Sequence, residues 1–223
     1  MRNVTHILTL KPGMGKALKG RVHEIFGHDQ RDPPTMPTTP AAVKALIAII
    51  KARSFQEGPE MKLASGKTST FYFNMKPTML DSEGAFLIAS LILDQLDGID
   101  ADLVGGLEIG AVPIAASVSA IAHTRGRKLS AFFVRKQPKE HGTKSLIEGL
   151  GPGETMVGRN VVIVEDVTTT GGSSIKAADA IRAAGGNIVR VITVVDRQDG
   201  AAEAFATAGI AFHPLTTLRD FKA

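Results

Sequence analysis

The sequence predicts an α/β protein: a parallel sheet flanked by helices. Three observations point there. Val161-Val162-Ile163-Val164 is a β-branched run without polar alternation, as a strand buried on both faces requires. From about Pro40 onward, strand-length apolar runs alternate with helix-length segments. The composition is rich in Gly, Ala, Val and Ile, and only 5% of residues are aromatic.

In chain order, residues 1–39 mix Gly, Pro, His and Lys with little period and close on Pro33-Pro34 and Pro37. They read as a poorly ordered extension ahead of a domain covering 40–223. Gly13-Met14-Gly15-Lys16 resembles the end of a nucleotide P-loop, but Ala17 replaces the hydroxyl residue and Leu10 the first glycine. Thr39 as N-cap and Pro40 at the first position open a helix, with Val43, Leu46, Ile47 and Ile50 on one stripe. Leu63-Ala64-Ser65 and Phe71-Tyr72-Phe73 flank Gly66-Lys67 as two short strands. Helix and hairpin together, about 40–80, form a small N-terminal hood.

Asp81 or Ser82 caps a largely apolar helix running to Leu96. Leu103-Val104 is a short strand ended by Gly105-Gly106, and a small-residue helix covers Val112 to Ala122. Leu129 to Val134 is the next strand, and Arg135 to Gly153 a long loop of Lys, Glu, Gly and Pro. The Val161 strand leads to a helix carrying Ile175, Ala178 and Ile181, stopped at Gly185-Gly186. Ile188 to Val195, Ala201 to Ala208 and Ile210 to Leu215 complete the pattern as strand, helix and strand.

At 223 residues the chain can bury one sizeable core. The absence of cysteine excludes a disulfide framework and cysteine-ligated metal. A net charge of +4 suits an anionic substrate, whereas one Tyr, no Trp and no dense basic helix give nucleic acid little support. No apolar run reaches membrane-span length and no signal-peptide core opens the chain, so a cytoplasmic protein without a membrane partner is expected.

Two segments carry chemistry. In Val161 to Ser174, VVIVEDVTTTGGSS, a buried strand ends in Glu165-Asp166 and passes through a hydroxyl- and glycine-rich turn into a helix. Glycines admit close approach to backbone amides, hydroxyls donate to anion oxygens, and the helix N-terminus adds partial positive charge. That describes a phosphate cradle at a strand's carboxyl end. The two carboxylates would repel phosphate and suit neighbouring hydroxyls, a combination that a sugar phosphate satisfies. A bare TTGGS would also suit an ordinary βα turn; the preceding VVIVED makes the pattern specific. Adjacent strand residues point to opposite faces, which argues against a shared-proton dyad. The second segment, RKQPKEHGTKS, gathers Arg135, Lys136, Lys139, His141 and Lys144 in one polar loop. Such a loop is a solvated surface or a functional one, and clustered cations suit a pyrophosphate.

The Val161–Ser174 segment resembles the phosphoribosyl-pyrophosphate (PRPP) signature of type I phosphoribosyltransferases, and its wording EDVTTTGGS resembles the orotate phosphoribosyltransferases most. The resemblance covers roughly Pro40 to Leu215. It implies that Glu165, Asp166, Val167, Thr168, Thr169, Thr170, Gly171, Gly172 and Ser173 bind PRPP, the carboxylates taking the ribose hydroxyls. RKxxKxHG resembles the family's catalytic loop, which implies that Arg135, Lys136, Lys139 and His141 hold pyrophosphate, Lys139 foremost. Ser65 to Asn74 resembles the segment near the pyrimidine, which sets Tyr72 and Phe73 against the base, and Thr169 with it. Arg197 in DRQDG resembles the orotate-binding arginine, whose fork fits a carboxylate.

The resemblance further implies Mg²⁺ held mainly by PRPP and water, and a homodimer in which each loop serves the partner's cradle. Ala64 and Gly110 stand where many members carry Lys, with Lys62, Lys67 and Lys76 as nearby candidates to compensate. Two alternatives remain at this stage: a purine phosphoribosyltransferase, which should lack the Tyr72/Phe73 segment and Arg197, and a non-catalytic PRPP-binding regulator, which could lose the loop cations.

Overall fold

The computed structural model describes residues 39–62, 68–138 and 146–222. Helix α1 (Thr39–Arg53) buries Ala42, Leu46 and Ile50 along the predicted stripe. Strands β1 (Phe55–Lys62) and β2 (Thr68–Phe73) then form an antiparallel hairpin. β1 lies ahead of the expected Leu63-Ala64-Ser65 strand, which with the Gly66-Lys67 turn falls outside the described residues. The pairing register shifts between Glu57 and Met61, and that irregularity lets a proline sit inside a strand. A four-residue helix, α2 (Lys76–Met79), was not predicted; α3 (Ser82–Asp94) follows, capped by Asp81, whose Oδ2 accepts from Gly84 N at 3.1 Å.

Strand β3 (Leu103–Gly105) opens the central sheet and α4 (Ala111–Thr124) follows it. The expected single strand from Leu129 to Val134 is divided in two. β4 (Ser130–Ala131) joins the central sheet, while β5 (Phe133–Val134) pairs antiparallel with β6 (Ile147–Glu148). The change of partner falls at buried Phe132, against whose Cα the Gly149 backbone packs. Part of the expected 135–153 loop is therefore the return arm of a hairpin, closed by Arg135 N donating to Leu146 O at 2.8 Å. Strand β7 (Asn160–Thr168), helix α5 (Gly172–Ala183), strand β8 (Asn187–Asp196), helix α6 (Ala201–Thr207) and strand β9 (Phe212–Thr217) complete the order.

The central sheet runs β4-β3-β7-β8-β9, and every neighbouring pair is parallel. This is the predicted architecture. β7 shows why its sequence lacks alternation: Val162 and Val164 face a core with α1, α3 and α4, while Val161 and Ile163 face a second core with α5 and α6. Among the described residues no helix is long and apolar enough to cross a membrane. The expected extension lies outside the described residues.

Candidate active site

From β3 the sheet continues to β4 on one side, and from β7 to β8 on the other. A crevice opens outside the strands' carboxyl ends at such a reversal. Here the turn Leu107–Gly110 after β3 faces Glu165 and Asp166 at the end of β7. With Lys76, Lys136 and Ser173 they line a cavity of about 560 Å³. A second cavity of about 340 Å³ adjoins it, lined by Thr168 through Ser173 and by Lys176; Glu165, Val167 and Ser173 belong to both walls. The structure thus brings the whole predicted signature to one sheet edge.

The turn into α5 is built to receive an anion. Gly171 sits at φ +80°, a left-handed conformation natural to glycine, and a Cβ there would lie 3.0 Å from the Phe205 ring. No side chain caps α5, so its first amides remain available. The Thr168 hydroxyl in the same wall is buried without a partner among the described residues. A buried donor without an acceptor marks a place where a ligand can supply one.

The two carboxylates have separate partners, as strand geometry requires. Glu165 Oε2 accepts from Ser174 Oγ on α5, while Asp166 Oδ1 accepts from Val167 N at 2.9 Å. Burial pushes Glu165 up to about 7, against the lowering effect of Ser174. Burial raises Asp166 as well, with Lys76 and Lys136 among the groups opposing it.

The sign of the pH effect follows. Because the fold raises the Glu165 value above its ordinary 4.5, the associated stability is full below about 4.5 and is lost as pH rises through about 7. Glu165→Gln should therefore gain stability relative to wild type between pH 5 and 8, by an amount on the order of 3 kcal/mol at most. Melting temperatures of both proteins at the two pH values check this; parallel profiles would contradict it.

The cationic segment starts at the crevice. Lys136 lines the large cavity, and its backbone N donates to Glu108 Oε1 at 2.8 Å, which ties the segment to the turn after β3. Arg135, Lys136 and Lys176 line a third cavity of about 500 Å³ next to Ser173. Lys139, His141 and Lys144 lie outside the described residues.

Arg197 follows β8 and is 8% exposed. Its backbone N donates to Thr168 O at 2.9 Å, joining it to the end of the neighbouring strand. The guanidinium donates through Nη2 to Ser69 Oγ at 3.1 Å and lies 4.5 Å from the Phe71 ring centroid. Its Nε is buried without a partner among the described residues. Burial lowers its pKa, yet a guanidinium stays charged. A buried cation of this kind calls for an anionic acceptor.

The structure separates Tyr72 from Phe73, which the sequence reading had set together against one base. Alternation along β2 sends them to opposite faces. Tyr72 is 40% exposed, while Phe73 packs against Phe55 and Phe221 at 4.9 and 5.1 Å between ring centroids. Phe73 is a core residue. Ser69 and Phe71, which position Arg197, were missed; period-two alternation through TSTFYF puts them on the Phe73 face and could have found them.

The phosphoribosyl transferase domain model matches residues 78–208. Orotate phosphoribosyltransferase of Rhodopseudomonas palustris is 54% identical over 182 residues, spanning 81% of this chain and 97% of that protein. The structure resembles Mycobacterium tuberculosis orotate phosphoribosyltransferase solved with Fe(III) dicitrate (TM-score 0.70, 35% identity) and the same enzyme solved with PRPP (0.66, 33%), each covering 82% of this chain and 99% of the other. Identity at more than half of the aligned positions, across nearly the full length of a relative so named, identifies more than a fold: the chain belongs to the orotate phosphoribosyltransferase family.

Proposed function

We propose that the chain transfers the phosphoribosyl group of PRPP to orotate, giving orotidine 5′-monophosphate and pyrophosphate for pyrimidine nucleotide synthesis. The observation that carries this reading is the placement of Arg197. A buried guanidinium whose Nε has no partner among the described residues stands at the strand end next to the phosphate cradle. A base with a carboxylate, joined to a ribose 5-phosphate, would answer both at once.

On this reading residues 168–173 hold the 5′-phosphate, and Glu165 and Asp166 accept from the ribose hydroxyls. Arg197 pairs with the orotate carboxylate, with Thr169 beside the base and Tyr72 at its exposed edge. Arg135, Lys136, Lys139 and His141 neutralise the departing pyrophosphate. The reaction is a displacement at ribose C1 with cationic character on the sugar. Catalysis comes from orientation and charge placement, with no protein nucleophile. Closure of the 135–141 segment excludes water.

The donor set suits Mg²⁺ brought by the substrate. Glu165 and Asp166, with Glu108 across the turn after β3, line one cavity, and among the described residues no group of three or more ligand side chains is placed to form a protein cage. Mg²⁺ commonly takes one or two carboxylates plus phosphate oxygens and water. When bound, it supplies further charge neutralisation at the pyrophosphate. We place the protein in the cytoplasm, with residues 40–223 as the transferase domain.

We also propose a homodimer with shared active sites. Leu80 and Ile109, exposed at 74% and 65%, are apolar groups in the wall of the large cavity and suit an interface beside it. Equimolar Lys139→Ala and Asp166→Asn subunits, dissociated and re-paired, should then recover about a quarter of wild-type activity per subunit. No recovery from demonstrated heterodimers would contradict sharing.

The reading is tested by incubating the protein with PRPP and Mg²⁺ and following the base. Orotate should be consumed with formation of orotidine 5′-monophosphate, and adenine and hypoxanthine should remain unchanged. Turnover of a purine in place of orotate would overturn it.

A further inference from the structure

We infer that Lys76 is a substrate-binding cation of the active site, lining the same cavity as Gly110 and taking an oxyanion of the pyrophosphate group. This rests on the PRPP-binding reading above. Three carboxylates, Glu108, Glu165 and Asp166, line the large cavity, and its only ammonium groups among the described residues are Lys76 and Lys136. Lys136 begins the cationic segment. Lys76 comes from a different element, α2.

The mount of Lys76 is rigid. Met75, Thr78 and Met79 around it are buried, the Thr78 and Ser54 hydroxyls are 2.6 Å apart, and Arg53 Nε donates to Pro77 O at 3.2 Å. The ammonium itself is in an exposed residue with no ion pair among the described residues, and its charge is felt by Asp166. A cation whose backbone is fixed beside a cavity, with no anion closed onto it among the described residues, is available to a ligand anion.

Gly110 lines the same cavity. A Cβ at Gly110 would lie 2.6 Å from Asp166 Oδ1. Any side chain there would require the Asp166 carboxylate, which accepts from Val167 N, to shift. With glycine there Asp166 keeps its place, and Lys76 brings an ammonium group to the same cavity.

Calorimetry with pyrophosphate and, separately, ribose 5-phosphate tests the inference in wild type, Lys76→Met and Lys76→Arg. Loss of a charged hydrogen bond should weaken pyrophosphate binding by Lys76→Met roughly 10- to 100-fold, leave ribose 5-phosphate within about twofold, and be largely restored in Lys76→Arg. Unchanged pyrophosphate affinity in Lys76→Met would overturn the inference. Equal weakening of both ligands with a lowered melting temperature would do the same, making the residue structural. Wild-type turnover of orotate, measured alongside, keeps the two questions apart: its absence sinks the enzymatic reading, while the pyrophosphate comparison still decides Lys76.

Discussion

Arg197→Ala should raise the KM for orotate by about two to three orders of magnitude and leave the KM for PRPP within a few-fold. The expected size follows from the burial of the guanidinium. Removing one partner of a fully buried charged pair costs about 3–5 kcal/mol, because the other charge is left without its counter-charge. Arg197 is 8% exposed and supported by Ser69 and the Phe71 ring, so water would not readily replace it. Arg197→Lys should recover only part of the loss, since an ammonium cannot present the planar fork. Steady-state kinetics with each substrate varied in turn separates the outcomes. Equal loss toward orotate and PRPP would remove Arg197 from the base site.

Lys139→Ala should lower kcat by roughly 10²- to 10³-fold with little change in melting temperature. The estimate follows from removing one preorganised group that meets charge developing in the transition state. The hairpin stem of β5 and β6, closed between Arg135 and Leu146 and tied to Glu108 through Lys136, roots this segment at the crevice. Single-turnover kinetics and thermal unfolding on the same preparation check both halves. A large fall in melting temperature with near-normal turnover would make Lys139 structural.

Much of this was legible in the sequence because the physics is local. A β-branched run followed by two acids and a Gly/Thr/Ser turn states a buried strand end and a phosphate cradle within fourteen residues; strand, turn and helix are all present, though the strand runs on past the acids through Thr168 and the helix already begins at Gly172. Tertiary partners were not legible. Nothing around Arg197 in the sequence says that Ser69 and Phe71, some 128 and 126 positions earlier, hold its guanidinium. The short β6 strand and the division of the 129–134 segment depend on which edge each two-residue piece finds, a choice made by the sheet and not by propensity. Helix α2 is a single turn fixed by buried Met75, Thr78 and Met79, too short to leave a periodic signal.

The central claim is that one crevice joins a phosphate cradle to a buried arginine that reads a carboxylate on the base. The most direct measurement compares the affinities of orotidine 5′-monophosphate and uridine 5′-monophosphate, which differ only by that carboxylate, for wild type and Arg197→Ala. A site built around an otherwise unpaired buried donor should reject the ligand that lacks the acceptor. The account predicts that wild type binds orotidine 5′-monophosphate at least about 100-fold more tightly and that Arg197→Ala abolishes most of the difference. Equal affinity of wild type for the two nucleotides would contradict it.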